Sequence, residues 1–347
     1  GLLGFNTEVI VEIYSKEPFE VVYKGRSESL NYFGESINPH ALELMIEELN
    51  KNFTNYNFFI REYLLSDHVD EHKSYWLFEL SGDVQRISDE GQLHKVKLVY
   101  VVSYHDNPAG ITVSEERRQP LLDITKRWSR DHTIYLLEDA AYRELHYDGQ
   151  ELPSIWSFDT GYETDGQEHV ILSQTFSKSF SPGLRVGLSV LPQELVKPIS
   201  DLKGNQDFGS GHLSQNIVAE VLRTGEYWDH LAGLRTSYQA KRDAMVAAAE
   251  EFFADIDGVT WRNPAGGLYV WMSLPEHIPT GFNSPLFARA TEVNKVMYVP
   301  GELCYPSQWK DRQSHQMRLS YGVLDVVGIR EGMQRLASAV RAVLEAK

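Results

Sequence analysis

Cysteine is almost missing from this sequence: Cys304 is the only one in 347 residues. That excludes a disulfide framework and a cysteine-rich metal site, and it fits a reducing compartment. Long apolar runs are missing too. None reaches the ~20 residues that a membrane-spanning helix needs. The first residues, Gly1-Leu2-Leu3-Gly4-Phe5, lack the basic region and long apolar core of a signal peptide, so a cytoplasmic protein is expected. Positive charge is in deficit, with 33 Lys and Arg against 49 Asp and Glu and a net charge of −16. With no basic block, neither nucleic acid nor an anionic membrane is expected as a partner. Local arginines can still hold a small anion. Glycine is absent between Gly34 and Gly82. No internal repeat or low-complexity tract appears.

What is present reads as alternating strands and helices. Val84-Gln85-Arg86-Ile87-Ser88 is strand-like, and Asp89-Glu90-Gly91 is a turn. Lys95 to Val102 is rich in β-branched residues and predicts a strand. Thr112 or Ser114 can cap a helix with Leu121, Ile124 and Trp128 on one face. Thr133–Leu137, Val170–Leu172 and Val186–Leu191 read as further strands. The alternation argues an α/β domain with a mostly parallel sheet flanked by helices. Ligands bind beyond the carboxyl ends of such strands. Asn107, Asp139 and Lys178 each follow a predicted strand. After Leu213 the chain turns helical. One long helix is expected over Leu231–Phe253. A final amphipathic one carries Ile329, Met333, Leu336, Val340 and Val343. Short strands between them, at Gly267–Met272, Val296–Val299 and Met317–Tyr321, suggest a smaller α+β domain. The expected division is a large domain over 38–237, with 1–37 and 238–347 forming an arm and the small domain.

The stretch Gln174-Thr175-Phe176-Ser177-Lys178-Ser179-Phe180-Ser181-Pro182-Gly183-Leu184-Arg185-Val186-Gly187 concentrates the chemistry. A lysine in a dry pocket near another cation loses its proton easily and becomes a nucleophilic amine. Hydroxyls beside it and an arginine seven residues on suit a phosphate. A Schiff-base lysine with a phosphate site is what pyridoxal 5′-phosphate (PLP) requires. Taken alone, a Ser-Lys pair would read as a surface turn. The whole string resembles the lysine motif of fold-type I aminotransferases of class I/II, in particular the branch with 2-aminoadipate and kynurenine aminotransferases and PLP-binding regulators. The resemblance runs from about Tyr75 to the C-terminus.

The resemblance implies a role for each matching residue. Lys178 is the catalytic lysine. Thr175, Ser177 and Arg185 hold the phosphate. Asp139, in Asp139-Ala140-Ala141-Tyr142, faces the pyridine nitrogen, and Tyr142 donates to the ring's phenolic oxygen. Asn107, in Asn107-Pro108-Ala109-Gly110, meets that same oxygen; Ala109 stands where the family has Thr. Tyr75 stacks on the ring, with Trp76 the alternative. Arg318, in Met317-Arg318-Leu319-Ser320-Tyr321, grips the substrate α-carboxylate. On their own these residues have plainer readings: a helix cap for Asp139, a turn for Asn107, an edge-strand salt bridge for Arg318. The family's glycine-rich phosphate turn has no counterpart here. Either the phosphate site is built differently here or segments near Asn57 and between Leu65 and Lys73 are missing from the sequence, and the second reading is favoured because everything downstream matches in order. The implied activity is transfer of an amino group from an L-amino acid to a 2-oxo acid, by a homodimer and without a metal. Two rivals are another PLP reaction on this scaffold (lyase, racemase or cyclase) and a PLP-sensing regulatory domain. Such regulators carry a basic DNA-binding region upstream. None is seen here, so an enzyme is expected.

Overall fold

The computed structural model describes residues 84–159, 168–305 and 312–346. The expected arm, the helix over 39–50, the segments over 58–80 and Tyr75 lie outside the described residues. The chain divides by its contacts into two units. The first holds the residues up to Tyr104, Thr112–Glu144 and Gln150–Leu231; the second holds His105–Ile111, Leu145–Gly149 and everything from Ala232 on.

The first unit is built on a four-stranded sheet in the order β1-β2-β3-β4: β1 (Leu98–Val102), β2 (Tyr135–Asp139), β3 (Val170–Thr175) and β4 (Gly187–Val190). β1, β2 and β3 run parallel, with Val102 beside Asp139 and Asp139 beside Ser173. Strands covered on both faces read as continuous apolar runs, which is why Leu136-Leu137 and Val170-Ile171-Leu172 stand out in the sequence. β4 is antiparallel to β3. A parallel return needs a crossover of roughly a dozen residues or more, and residues 176–186 are too few. Gly187, opposite Thr175, is tightly placed: a Cβ there would lie 2.9 Å from the carbonyl oxygen of Gln174.

Helix α1 (Glu115–Trp128) has Ser114 at its cap position, acidic residues in its first turn and Lys126 and Arg127 in its last. Its expected face, Leu121, Ile124 and Trp128, is buried with Leu122 against Val101, Leu136 and Val170. Residues 84–89 are helical, not strand-like. Val84 and Ile87 are three apart and both buried, while Gln85 bonds Asp89 and Arg86 bonds Glu90 at helical spacing. A five-residue window could not separate the two periods. After β4 come helices α2 (Gln193–Asp207), α3 (His212–Thr224) and α4 (Glu226–Phe253), the last starting five residues before its expected beginning. Residues 226–231 of α4 belong to the first unit and the rest to the second.

The second unit has an antiparallel sheet in the order β5-β6-β8-β7: β5 (Thr260–Trp261), β6 (Tyr269–Ser273), β7 (Val299–Pro300) and β8 (Gln316–Ser320). The strand expected over Val296–Val299 shrinks to Val299–Pro300. The Val296 amide turns back to the Ala290 carbonyl, and Lys295 sits at a left-handed φ of 54°. Helix α5 (Val326–Glu345) is capped by Asp325, whose side chain accepts from the Gly328 amide. Ile329, Met333, Leu336 and Val340 are buried as expected, and Val343 is half-buried.

Candidate active site

In the first unit, the lysine turn is made by one extended residue and one short helix. Thr175 ends β3, and its hydroxyl accepts from the Ser177 amide at 3.1 Å, capping the four-residue helix Phe176–Ser179 that carries Lys178. The Thr175 hydroxyl also donates to Ser177 Oγ at 3.0 Å. Arg185 reaches back from the far side of the turn. Its Nη1 donates to the Pro182 carbonyl at 2.8 Å and to Ser177 Oγ at 3.4 Å. Arg185 has a φ of 57°, the left-handed region that non-glycine residues rarely enter and that recurs at ligand sites. Two hydroxyls and a guanidinium thus converge within one turn, a donor set that fits a phosphate.

Asp139 closes β2 in the same unit. Its Oδ2 accepts from the Tyr100 hydroxyl at 2.8 Å and its Oδ1 from the Ala141 amide at 3.0 Å. Burial pushes its carboxyl above the ordinary range. The Tyr100 hydrogen bond, the Ala141 amide and the charge of Lys178 pull the other way. Tyr142 is fully buried, and the Lys178 ammonium lies 5.8 Å from its ring centroid. Lys178, Asp139, Tyr142, Thr175, Ser177 and Arg185 are therefore all drawn from one unit. The donor set fits PLP: an amine, a phosphate cradle, and an anion for the ring nitrogen.

Beneath Asp139 lies a network that the sequence did not reveal. Glu138 is fully buried and accepts from the Ser103 hydroxyl at 2.7 Å and the Ile155 and Trp156 amides at 2.9 and 3.0 Å. Arg118, also fully buried, pairs with it at 3.3 Å. Arg118 further donates to the carbonyls of Val113 and Ser103, and stacks 4.3 Å from the Tyr104 ring centroid.

In the second unit, Arg318 on β8 stacks 4.4 Å from the centroid of Tyr269 on β6. Its Nη1 donates to Asn107 Oδ1 at 2.5 Å. Its Nε is buried with no hydrogen-bond partner among the described residues. A carboxylate is a fitting acceptor for such a nitrogen. Asn107 is itself buried. Its loop is closed by Asp106, which accepts from the Ile111 amide at 2.5 Å and exchanges backbone hydrogen bonds with Ile111 and Gly110. Burial pushes the Asp106 carboxyl up to about 7, against the Ile111 and Ala109 amides and the charge of Arg262, and its Oδ2 is buried without a partner.

Among the described residues no cluster of three or more His, Cys, Asp or Glu could hold a metal ion. No described helix is long and apolar enough to cross a membrane.

Chain-wide comparison with known proteins places this fold. The chain belongs to the family "Aminotransferase class I and II", whose model matches residues 76–335, and proteins of this family depend on PLP. Its large unit, with parallel strands between helices, is that of the fold-type I aminotransferases. Three similarities mark its place within that family. It is 32% identical to aromatic-amino-acid aminotransferase 1 of Thermococcus litoralis over 76% of this chain and 58% of that protein. It is 30% identical to the HTH-type transcriptional regulator YisV of Bacillus subtilis, over 74% of this chain and 49% of that protein. The α-aminoadipate aminotransferase of Thermus thermophilus, solved with N-(5′-phosphopyridoxyl)-L-leucine, matches with a TM-score of 0.64 and 31% identity over 75% of this chain and 63% of that one. The chain thus spans between about half and three fifths of the length of these relatives.

Proposed function

We propose that this protein is a PLP-dependent aminotransferase that moves an amino group from an L-amino acid to a 2-oxo acid. The observation that carries the reading is the convergence, within one unit, of Lys178 with the Asp139 carboxylate and the Tyr142 ring. PLP, when bound, supplies an electron sink for the charge left on the substrate α-carbon. The chain's own residues do the rest. Lys178 Nζ would hold the cofactor covalently and, as a free amine, would take the proton from the substrate α-carbon and return it on the cofactor side. Asp139 keeps the ring nitrogen protonated. Thr175, Ser177 and Arg185 fix the phosphate, while Tyr142 and Asn107 donate to the phenolic oxygen. Arg318 would take the substrate carboxylate, and the role of stacking on the ring would fall to Tyr75, which lies outside the described residues. Residues 38–237 are the cofactor-binding domain in this reading, and 1–37 with 238–347 the arm and small domain. The working form is a cytoplasmic homodimer, for which light scattering of the active species is the check.

The test is chemical. Borohydride reduction of the protein with PLP, followed by peptide mapping, should leave a pyridoxyl group on Lys178; a label on another lysine defeats the reading. A second reading, a PLP-sensing regulatory domain without turnover, is favoured by the similarity to YisV. Formation of a new 2-oxo acid from an amino acid, coupled to amination of an acceptor, separates the two. Another PLP reaction on the same scaffold would consume the amino acid without aminating the acceptor.

A further inference from the structure

We propose that Tyr100 is a positioning residue for Asp139: its hydroxyl fixes one oxygen of the carboxylate and keeps the group ionised toward the cofactor ring. The inference rests on the reading that Asp139 receives the pyridine nitrogen. Tyr100 sits on β1 directly beside Leu137 of β2. Side chains alternate along a strand, so Asp139, two residues beyond Leu137, points to the same face as Leu137. The Tyr100 side chain occupies that face as well, and its hydroxyl donates to Oδ2 at 2.8 Å while the Ala141 amide donates to Oδ1 at 3.0 Å. Each carboxylate oxygen therefore has one donor of its own. A carboxylate has about four lone-pair directions, so acceptor capacity remains for a ring N–H.

The hydroxyl does two things that ring packing alone would not. It restrains rotation of the carboxylate, because both oxygens are pinned from different elements, β1 and the turn after β2. It also offsets the penalty of burying the charge, since a hydrogen bond to the ionised form favours that form. The Lys178 charge acts in the same direction. Of these aids, Tyr100 gives the largest lowering. Nothing in the local sequence Leu98-Val99-Tyr100-Val101-Val102 marks this tyrosine, since aromatics are ordinary strand residues.

The experiment compares wild type, Tyr100→Phe, Asp139→Asn and the double variant. It reads the PLP dissociation constant by visible absorbance, the pH dependence of that absorbance, and kcat. Phe keeps the ring and removes only the donor. In Tyr100→Phe, PLP affinity or kcat should fall by about tenfold to a hundredfold, as expected for a hydrogen bond to a charged group. The acid limb of the kcat profile should move up by about one pH unit, because the lost donor favours the protonated carboxyl. In the Asp139→Asn background the same change should have no further effect. Replacing Tyr100 by 3-fluorotyrosine, a stronger donor of nearly the same shape, should move the acid limb the opposite way, a reading open even if the Phe variant fails to fold. Additive losses, or a Tyr100→Phe protein matching wild type in PLP affinity and acid limb, overturn the role of Tyr100 alone. A wild-type protein that develops no visible band with PLP overturns the proposed function and this inference with it.

Discussion

Arg318 Nη1 donates to Asn107 Oδ1 at 2.5 Å, although the two residues are 211 positions apart in the chain. The bond orients the fork of the guanidinium and fixes which face of the Asn107 amide accepts. Arg318 thereby has one nitrogen committed to the protein and one, Nε, buried with no partner among the described residues.

Arg318→Lys keeps the charge but loses the planar fork and its second parallel hydrogen bond. The Michaelis constants for amino acids and 2-oxo acids should rise together by roughly tenfold or more, the worth of a hydrogen bond to a charged group. Cofactor absorbance should stay intact. Arg318→Ala should raise the constants further, while amines lacking a carboxylate change little. Unchanged constants in the Ala variant would make Arg318 a structural residue.

Asp106 should give the protein an unusual pH response. Burial raises its carboxyl from the ordinary 3.8 to about 7, so the folded state binds its proton more tightly than the unfolded chain does. A raised carboxyl pKa means stability is greatest below the unfolded value and falls as pH rises from about 4 through 7. The loss attributable to this group is up to about 4 kcal/mol. Asp106→Asn removes the titration. Urea unfolding between pH 5 and 8 should show a flatter stability curve for the variant, with the variant gaining on wild type as pH rises. Parallel curves would mean that the Asp106 carboxyl binds its proton no more tightly in the folded protein than in the unfolded chain.

Glu138→Gln should be severe for a different reason. The change leaves the Arg118 guanidinium buried without its counter-charge and turns one acceptor oxygen into a donor facing amide N–H groups. Breaking a buried pair by removing one member costs about 3–5 kcal/mol. Adding Arg118→Met should recover part of that loss. Chemical denaturation of the two variants checks both statements, and a loss below 1 kcal/mol for the single change would put water in the network.

The sequence was legible where local pattern and burial agree. Val170–Leu172 and Leu136-Leu137 are covered on both faces, so they form apolar runs, and the strands built on them end at Thr175, three residues before Lys178, and at Asp139. The face of α5 was legible because one side of a helix is buried with a 3.6-residue period. Arg118 was not legible. Within Glu115-Glu116-Arg117-Arg118 it reads as one charge on a solvated helix, and only the distant Glu138 makes its burial tolerable. Asp106 likewise reads as a turn residue, and the desolvation that shifts it comes from the fold around it. The assignment of 105–111 and 145–149 to the second unit also escaped the sequence, because short loops carry no periodic signal.

The separations along the chain differ sharply between the two halves of the chemistry. Arg185 and Ser177 are eight residues apart, whereas Arg318 and Asn107 are 211 apart. Closing a loop costs more entropy as it lengthens, by about 0.6 kcal/mol per doubling, so the second contact carries a closure cost roughly 3 kcal/mol greater. The turn that holds the hydroxyls and the guanidinium can therefore set while the chain is still largely open, and the pairing of Arg318 with Asn107 must wait for nearly the whole chain to arrive. In pulsed hydrogen exchange this order would register as protection of the Ser177 amide ahead of the amides of β8. On the proposed assignment of these residues, a phosphate-bearing molecule present during refolding would then meet its anchoring turn before the grip for an amino acid exists.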